Sequence, residues 1–206
     1  MIIPRWLEWG QKLQALARAG LTYTENKFDV ERYHAITAIA AEIIATHSAV
    51  DASVIQSVYD SQVGYQTPKV DSRGVVFQNG KILLVKELAD GGWTLPGGWM
   101  DVNETPGEAV VREVREESGY YVRAVKLMAV YDRRLHGHPP YLFHIYKLFF
   151  MCDLLGGEAA VSIETGGAEF YGLDELPPLS TQRTTLEEIQ RCFAHHHQPD
   201  LPTEFD

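Results

Sequence analysis

Three glutamates, Glu113, Glu116 and Glu117, fall within little more than one helical turn in GGWMDVNETPGEAVVREVREESGY, residues 97–120. Like charges at i,i+3 and i,i+4 repel on a helix surface, so something must reward the arrangement. At about 100° per residue over residues 106–118, the three carboxylates share one wedge roughly 100° wide. Val110, Val111, Val114 and Ser118 occupy an adjoining side that can bury against a sheet. Glu108, Arg112 and Arg115 take a third side, from which Arg112 can reach both Glu108 and Glu116. A solvated acidic face is the ordinary reading of such a run. It leaves the preceding segment unexplained: WTLPGG, residues 93–98, ends a strand in Gly97 and Gly98, where the backbone can take positive φ and admit a ligand closely. A glycine loop running into an acidic helix is a poor anion site alone. It becomes a good one when the glutamates hold hard divalent cations, because Mg²⁺ takes oxygen ligands and shares them with substrate phosphates.

Gly98, Glu104, Arg112, Glu113, Val114, Glu116, Glu117, Gly119 and Tyr120 together resemble the Nudix hydrolase box: Gly, five residues, Glu, seven residues, Arg-Glu, an apolar residue, any residue, Glu-Glu, any residue, Gly, an apolar residue. Tyr120 stands where an aliphatic side chain is more usual. The N-terminal stretch PRWLEWGQKLQALARAGLTYTENKFDVERYHAI is similar to the N-terminal domain of a bacterial Nudix group of ADP-ribose and CDP-choline pyrophosphatases. The resemblance implies hydrolysis of the diphosphate of a nucleoside diphosphate linked to a second moiety, X. It implies two to three Mg²⁺ or Mn²⁺ ions held by Glu113, Glu116 and Glu117, with a backbone carbonyl near Gly97 or Gly98 assisting. Arg112 would orient a ligand glutamate, and Glu104 would be structural. Relatives draw the general base from the box, here Glu116, or from a later loop, where VSIETGGAEFYGL offers Glu164 and Glu169. Glu164 is preferred because a glycine-flanked loop can close over substrate and shed water. Arg73, Arg133 and Arg134, at strand ends, are candidates to clamp phosphate through their planar donors, beside the backbone of Gly97 and Gly98. His136 and His138 read as turn residues, His144 and Tyr146 as one side of a strand, and His195, His196 and His197 as a solvated helix end.

The rest of the chain must position these groups. Its 206 residues are 45% hydrophobic and 22% charged, ordinary globular material, and the formal net charge of −10 argues against broad attraction to a nucleic-acid backbone. DNA is therefore not an expected partner, RNA-end processing is a second enzyme reading, and a non-catalytic nucleotide sensor is disfavoured by the intact box glutamates. Cys152 and Cys192 are too few for a disulfide framework and lack zinc-site spacing. Nothing reads as a signal peptide or approaches about 18 consecutive apolar residues, so a cytoplasmic protein without membrane contact is expected.

Residues 1–66 read as helices only: one from Pro4 to a stop at Gly20, one capped by Asp29 and one capped by Asp51. Beyond residue 66 the texture changes to β-branched runs, with Asn79-Gly80 the strongest hairpin signal. YVRAVKLMAVYDRR, LFHIYKLFFMCD and AEFYGL read as further strands, and TTLEEIQRCFAHH as a closing helix. The expected architecture is a small all-helical domain, residues 1–66, before a Nudix α/β/α sandwich with a mixed sheet, residues 67–206. The helical stripes, with Trp6, Trp9, Tyr33, Ile36 and Ile43, exceed what so small a unit can bury. A homodimer is expected, with the helical domain at the interface and at one wall of the active site.

Overall fold

The computed structural model describes residues 4–206 and divides into two units. The helical unit runs to Pro68 and includes Pro140–His144. It contains α1 (Arg5–Tyr23), α2 (Lys27–Thr46) and α3 (Ala52–Ser61). Two sequence expectations are corrected here. Gly20 does not stop α1; it lies inside the helix, where any Cβ would collide with the Tyr33 ring of α2. Gly10 likewise faces Ile44, so both glycines let the helices approach closely. The cap of α2 is Asn26, whose side chain accepts from the Phe28 amide, while Asp29 sits in the first turn and pairs with Arg32 at 2.6 Å. Asp51 does cap α3, accepting from the Ser53 amide at 2.7 Å.

Close approach decides which residues are inside. Leu7, Ala40, Ala41, Ile44, Ile55 and Tyr59 form the core, whereas Trp9, Leu16 and Ile39 of the apolar stripes are exposed. Gly10 and Gly20 stand opposite the large side chains Ile44 and Tyr33, where a Cβ would not fit. Gln11 Nε2 donates to the Tyr141 and Leu142 carbonyls, which ties the Pro140–His144 segment into this unit. His144 therefore precedes its expected strand instead of sharing a face with Tyr146.

The second unit holds β1 (Lys69–Gln78), β2 (Lys81–Glu87), β3 (Trp93–Thr94), α4 (Pro106–Ser118), β4 (Tyr120–Asp132), β5 (Ile145–Gly157), β6 (Thr165–Tyr171), α5 (Leu186–His197) and β7 (Glu204–Phe205). Asn79 and Gly80 adopt φ of 52° and 74°, the left-handed pair a two-residue hairpin needs. The mixed sheet runs β3-β2-β1-β5-β4-β7, with β6 also on β2, and β1 pairs β5 in parallel. One side buries Val76, Leu83, Val85, Val110, Val114 and Phe150 beneath α4; the other buries Val75, Leu84, Met128, Phe149, Ile189 and Phe193 beneath α5.

Two features of this sheet place the site. β2 pairs with β1 only beside the turn, at Phe77–Ile82 and Gln78–Lys81. Farther along, the Pro96–Gly98 loop takes over the edge of β1, with Gly74 N–H donating to Pro96 O at 2.8 Å and Ser72 N–H to Gly98 O at 2.9 Å. Gly97 is at φ 141°, and a Cβ there would overlap the Ser72 carbonyl, so only glycine lets the loop lie this close to the strand. Gly74 has no Cβ where Val114 packs, which seats α4 directly on β1.

Candidate active site

α4 begins with a capping box: the Thr105 hydroxyl accepts from the Glu108 amide, and the Glu108 carboxylate accepts from the Thr105 amide at 2.9 Å. Pro106 opens the helix, and Gly119, left-handed at φ 79°, ends it. Both ends are thereby specified, so the angular order of the glutamates is fixed relative to the buried valines Val110 and Val114.

The three glutamates meet different surroundings. Glu117 is buried, and its Oε2 accepts the Gly97 N–H at 2.8 Å. Burial pushes its carboxyl up to about 8, against the opposing pull of Arg73. Glu113 lies against Gly98, with its carboxylate about 3.3 Å from where a Cβ would stand, and burial raises it as well. Glu116 is the most exposed, its side chain 60% accessible. Arg112 ties the acidic residues together: it donates to both oxygens of Glu104, at 2.6 and 2.9 Å, to Glu113 at 2.9 Å and to Glu116 at 3.1 Å. Glu104 thus has an evident structural bond. Among the described residues no three acidic, histidine or cysteine side chains converge as a ready metal cluster, because Arg112 draws Glu113 and Glu116 to itself while Glu117 turns to Gly97. The donor set nevertheless suits a divalent cation. Glu113 and Glu117 are hard oxygen donors beside the glycine loop, each disfavoured as an anion by burial and by a neighbouring glutamate.

This predicament of Glu117 has a measurable consequence without metal. A carboxyl raised from the usual range near 4.5 to about 8 binds its proton more tightly in the folded chain, so folding stability falls as pH rises between those two values. Metal-free protein is expected to melt at a lower temperature at pH 8 than at pH 5, and Glu117→Gln to remove much of that difference. Thermal unfolding in a chelator across this range checks it; an unchanged slope in the variant rules out Glu117 as its source.

The loop before β6 reaches the same place. Thr165 Oγ1 donates to Glu117 O at 2.7 Å, Leu88 N–H donates to Glu164 O at 3.0 Å, and the Glu164 side chain is exposed. The backbone of Glu164 is therefore one residue from a direct bond to the end of α4. Glu169 instead bonds the Tyr171 hydroxyl along the strand.

Two expected phosphate clamps meet protein acceptors. Arg73 is buried, pairs with Asp71 at 2.9 Å and donates to the Leu95 carbonyl at 3.1 Å, so it supports the strand entering the glycine loop. Arg133 is buried too and donates to Pro139 O, Gln182 O and Gln182 Oε1 at 2.8–3.0 Å. Arg134 pairs with Asp132. A strand-end arginine resembles a phosphate ligand in sequence, but carbonyls supplied by distant loops cannot be read there.

The histidines also differ from expectation. His138 is buried, with Nδ1 2.8 Å from Thr181 O and Nε2 2.8 Å from Glu188 Oε1. His195 is buried beside Glu204, and His196 stacks on Phe77 with ring centroids 3.9 Å apart, so the helix end is packed at these two while His197 is exposed as expected. His136 lies in a turn, as expected, and stacks on Tyr131. Both cysteines are buried thiols.

Sequence reading missed a second set of charges. Lys147 Nζ lies 2.7 Å from Glu188 Oε1 and donates to Arg183 O at 2.6 Å. Burial would raise the Glu188 carboxyl, but Lys147 and His138 reverse this and hold it at about 2. The signal was present: Lys147 alternates with buried Ile145 and Phe149, and Glu188 is the third helical residue after its cap, Thr185. Glu87, buried and paired with Arg183 at 3.0 Å, has no comparable signal.

A family model described as the NUDIX domain matches residues 68–196. The chain belongs to the NUDIX family. A second model, described as a UDP-X-like N-terminal oligomerisation domain, matches residues 4–59. A Bacillus subtilis (strain 168) protein provisionally named ADP-ribose pyrophosphatase YjhB is 42% identical over 202 residues, 98% of this chain and 97% of that protein. The crystal structure of an ADP-ribose pyrophosphatase from Streptococcus suis 89-1591 aligns with a TM-score of 0.63 at 41% identity, covering 68% of this chain and all of that one. A UDP-X diphosphatase structure aligns over 100% of both chains, with a TM-score of 0.63 at 29% identity. The expected Nudix sandwich behind a helical N-terminal region is thus found, and the chain is a Nudix pyrophosphatase.

Proposed function

We propose that this Nudix hydrolase cleaves the diphosphate of ADP-ribose or a closely related nucleoside diphosphate linked to X, with Mg²⁺ or Mn²⁺ as cofactor. The observation that carries this reading is the meeting of Glu113 and Glu117 with the Gly97–Gly98 loop, together with the near-complete overlap with the B. subtilis relative. Glu113, Glu116 and Glu117 hold the ions, two to three per site. Bound there, they supply positive charge against the diphosphate oxygens and make water more acidic. Arg112 orients Glu113 and Glu116. Glu164 takes the proton from the water whose oxygen attacks phosphorus; the P–O anhydride bond breaks, and a nucleoside monophosphate and phosphorylated X leave.

Incubation of purified protein with ADP-ribose, CDP-choline and a UDP-sugar, each with Mg²⁺, Mn²⁺ or EDTA, tests the function. AMP release from ADP-ribose that EDTA abolishes is expected; no nucleotide release from any compound overturns the reading. A uridine substrate is the second reading, favoured by the full-length alignment with the UDP-X diphosphatase structure, and UMP release exceeding AMP release would select it. The base assignment has its own test. Glu164→Gln is expected to lower kcat by about 10²-fold or more, as loss of a general base does, while metal affinity stays the same. A full rate in the variant would move the base to Glu116 or elsewhere.

The working protein is a homodimer in this proposal. Trp9, Leu16, Tyr23, Phe28 and Ile39 of the helical unit are all exposed, more large apolar surface than a small soluble unit ordinarily leaves to water. Light scattering should give twice the 23.2 kDa chain mass at micromolar concentration, and a Trp9→Ser, Leu16→Ser variant should shift toward monomer. A monomeric parent protein removes the role assigned to this surface. The cytoplasm is the proposed location; among the described residues no helix is long and apolar enough to cross a membrane.

A further inference from the structure

Three arginines of the sandwich unit are engaged by protein acceptors: Arg73 by Asp71 and Leu95 O, Arg112 by three glutamates, Arg133 by loop oxygens. Arg183 differs. Its Nε lies 3.0 Å from Glu87 Oε1, and Nη1 reaches Asp90 Oδ2 at 3.4 Å and Ser180 Oγ at 3.2 Å. No hydrogen bond engages Nη2 among the described residues, and about a third of the side chain is exposed. One edge of the guanidinium is anchored and the other retains donors.

Its position follows from its neighbours. Thr184 Oγ1 is 2.7 Å from Thr94 Oγ1 and accepts the Leu95 N–H at 3.2 Å, so the 180–184 turn is fastened to the strand that enters Gly97. Ser180 N–H donates to Trp93 O at 2.8 Å, and Lys147 pins the Arg183 carbonyl from the buried side. Glu87, on the last position of β2, links Arg183 to the acidic centre: it pairs across the sheet with Thr165 of β6, whose Oγ1 donates to Glu117 O at 2.7 Å. A turn held at this many points presents its arginine with little rotamer freedom left to lose, the preorganisation that favours charge-assisted recognition of phosphate.

We propose that Arg183 binds a phosphate oxygen of the substrate diphosphate through Nη2, beside the glutamate site. The assignment rests on the diphosphatase reading above and fills the place that Arg73 and Arg133, turned toward the protein, do not.

Calorimetric titration with magnesium pyrophosphate and with the non-hydrolysable α,β-methylene analogue of ADP-ribose tests it, using the full chain. Arg183→Gln should weaken both by about 10- to 100-fold, the range for losing a charge-assisted hydrogen bond, and should raise KM more than it lowers kcat. Arg183→Lys keeps a point charge but lacks the planar fork, so about a 10-fold loss is expected; it decides the matter if the glutamine variant fails to fold. Wild-type pyrophosphate affinity in both variants, or no pyrophosphate binding by the parent protein, overturns the proposal. A parent protein that hydrolyses no nucleoside diphosphate compound yet binds pyrophosphate through Arg183 overturns the proposed function alone. A hydrolytic parent whose variants bind pyrophosphate unchanged overturns the arginine assignment alone.

Discussion

Glu116→Gln is expected to lower kcat by about 10³-fold or more, the scale on which charge stabilisation in a transition state is lost, with no change in melting temperature beyond a degree or two. Glu116 is exposed, bonded to Arg112 alone among the described side chains, and remote from the valine face that seats α4. Its removal should therefore leave packing intact while taking one negative oxygen from the site. Glutamine keeps the shape and can still accept from Arg112, so the experiment isolates charge. Steady-state rates across a Mg²⁺ series, with circular dichroism on the same samples, provide the measurement. Near-parental activity at saturating Mg²⁺ would remove Glu116 from the metal set and leave Glu113 and Glu117.

Lys147→Met is expected to destabilise the sandwich unit by about 3–5 kcal/mol, the range for removing one partner of a buried ion pair. The Lys147 and Glu188 side chains are 1% and 0% exposed, and water cannot replace the lost ammonium. The variant would leave Glu188 ionised beside His138 without its principal counter-charge, and the Arg183 carbonyl without its donor. Pairing it with Glu188→Leu deletes both charges and should recover part of the loss, since an apolar pair avoids the uncompensated carboxylate. Denaturant unfolding of the single and double variants checks this. A single variant as stable as the parent would mean that Glu188 takes up a proton at little cost, contrary to the depressed carboxyl described above. Because Lys147 supports the turn that carries Arg183, the single variant should also bind pyrophosphate less tightly than its fold alone would suggest.

Chemistry that depends on neighbours along one chain segment was legible before any fold was known. Glutamates at 113, 116 and 117 share a wedge because helical geometry is local, and Thr105, Pro106, Glu108 and Gly119 set the helix ends through bonds spanning only a few residues. The Asn79-Gly80 hairpin and the alternating strands belong to the same class. The helical unit was less legible: Gly20 reads as a stop, yet α1 continues through it because the absent Cβ makes room for Tyr33. Which of the charged groups meet protein acceptors could be read only from contacts between elements far apart in the chain. Arg73 and Arg133 carry the right chemistry, but Asp71, Leu95 and Gln182 accept from them, and the turn that carries Arg183 is fastened to β2 and β3, far back in the chain, through Glu87 and Thr94. Short-range periodicity records where a side chain leaves its own element. What it meets there depends on the packing of elements far apart in the chain, and that is a property of the fold.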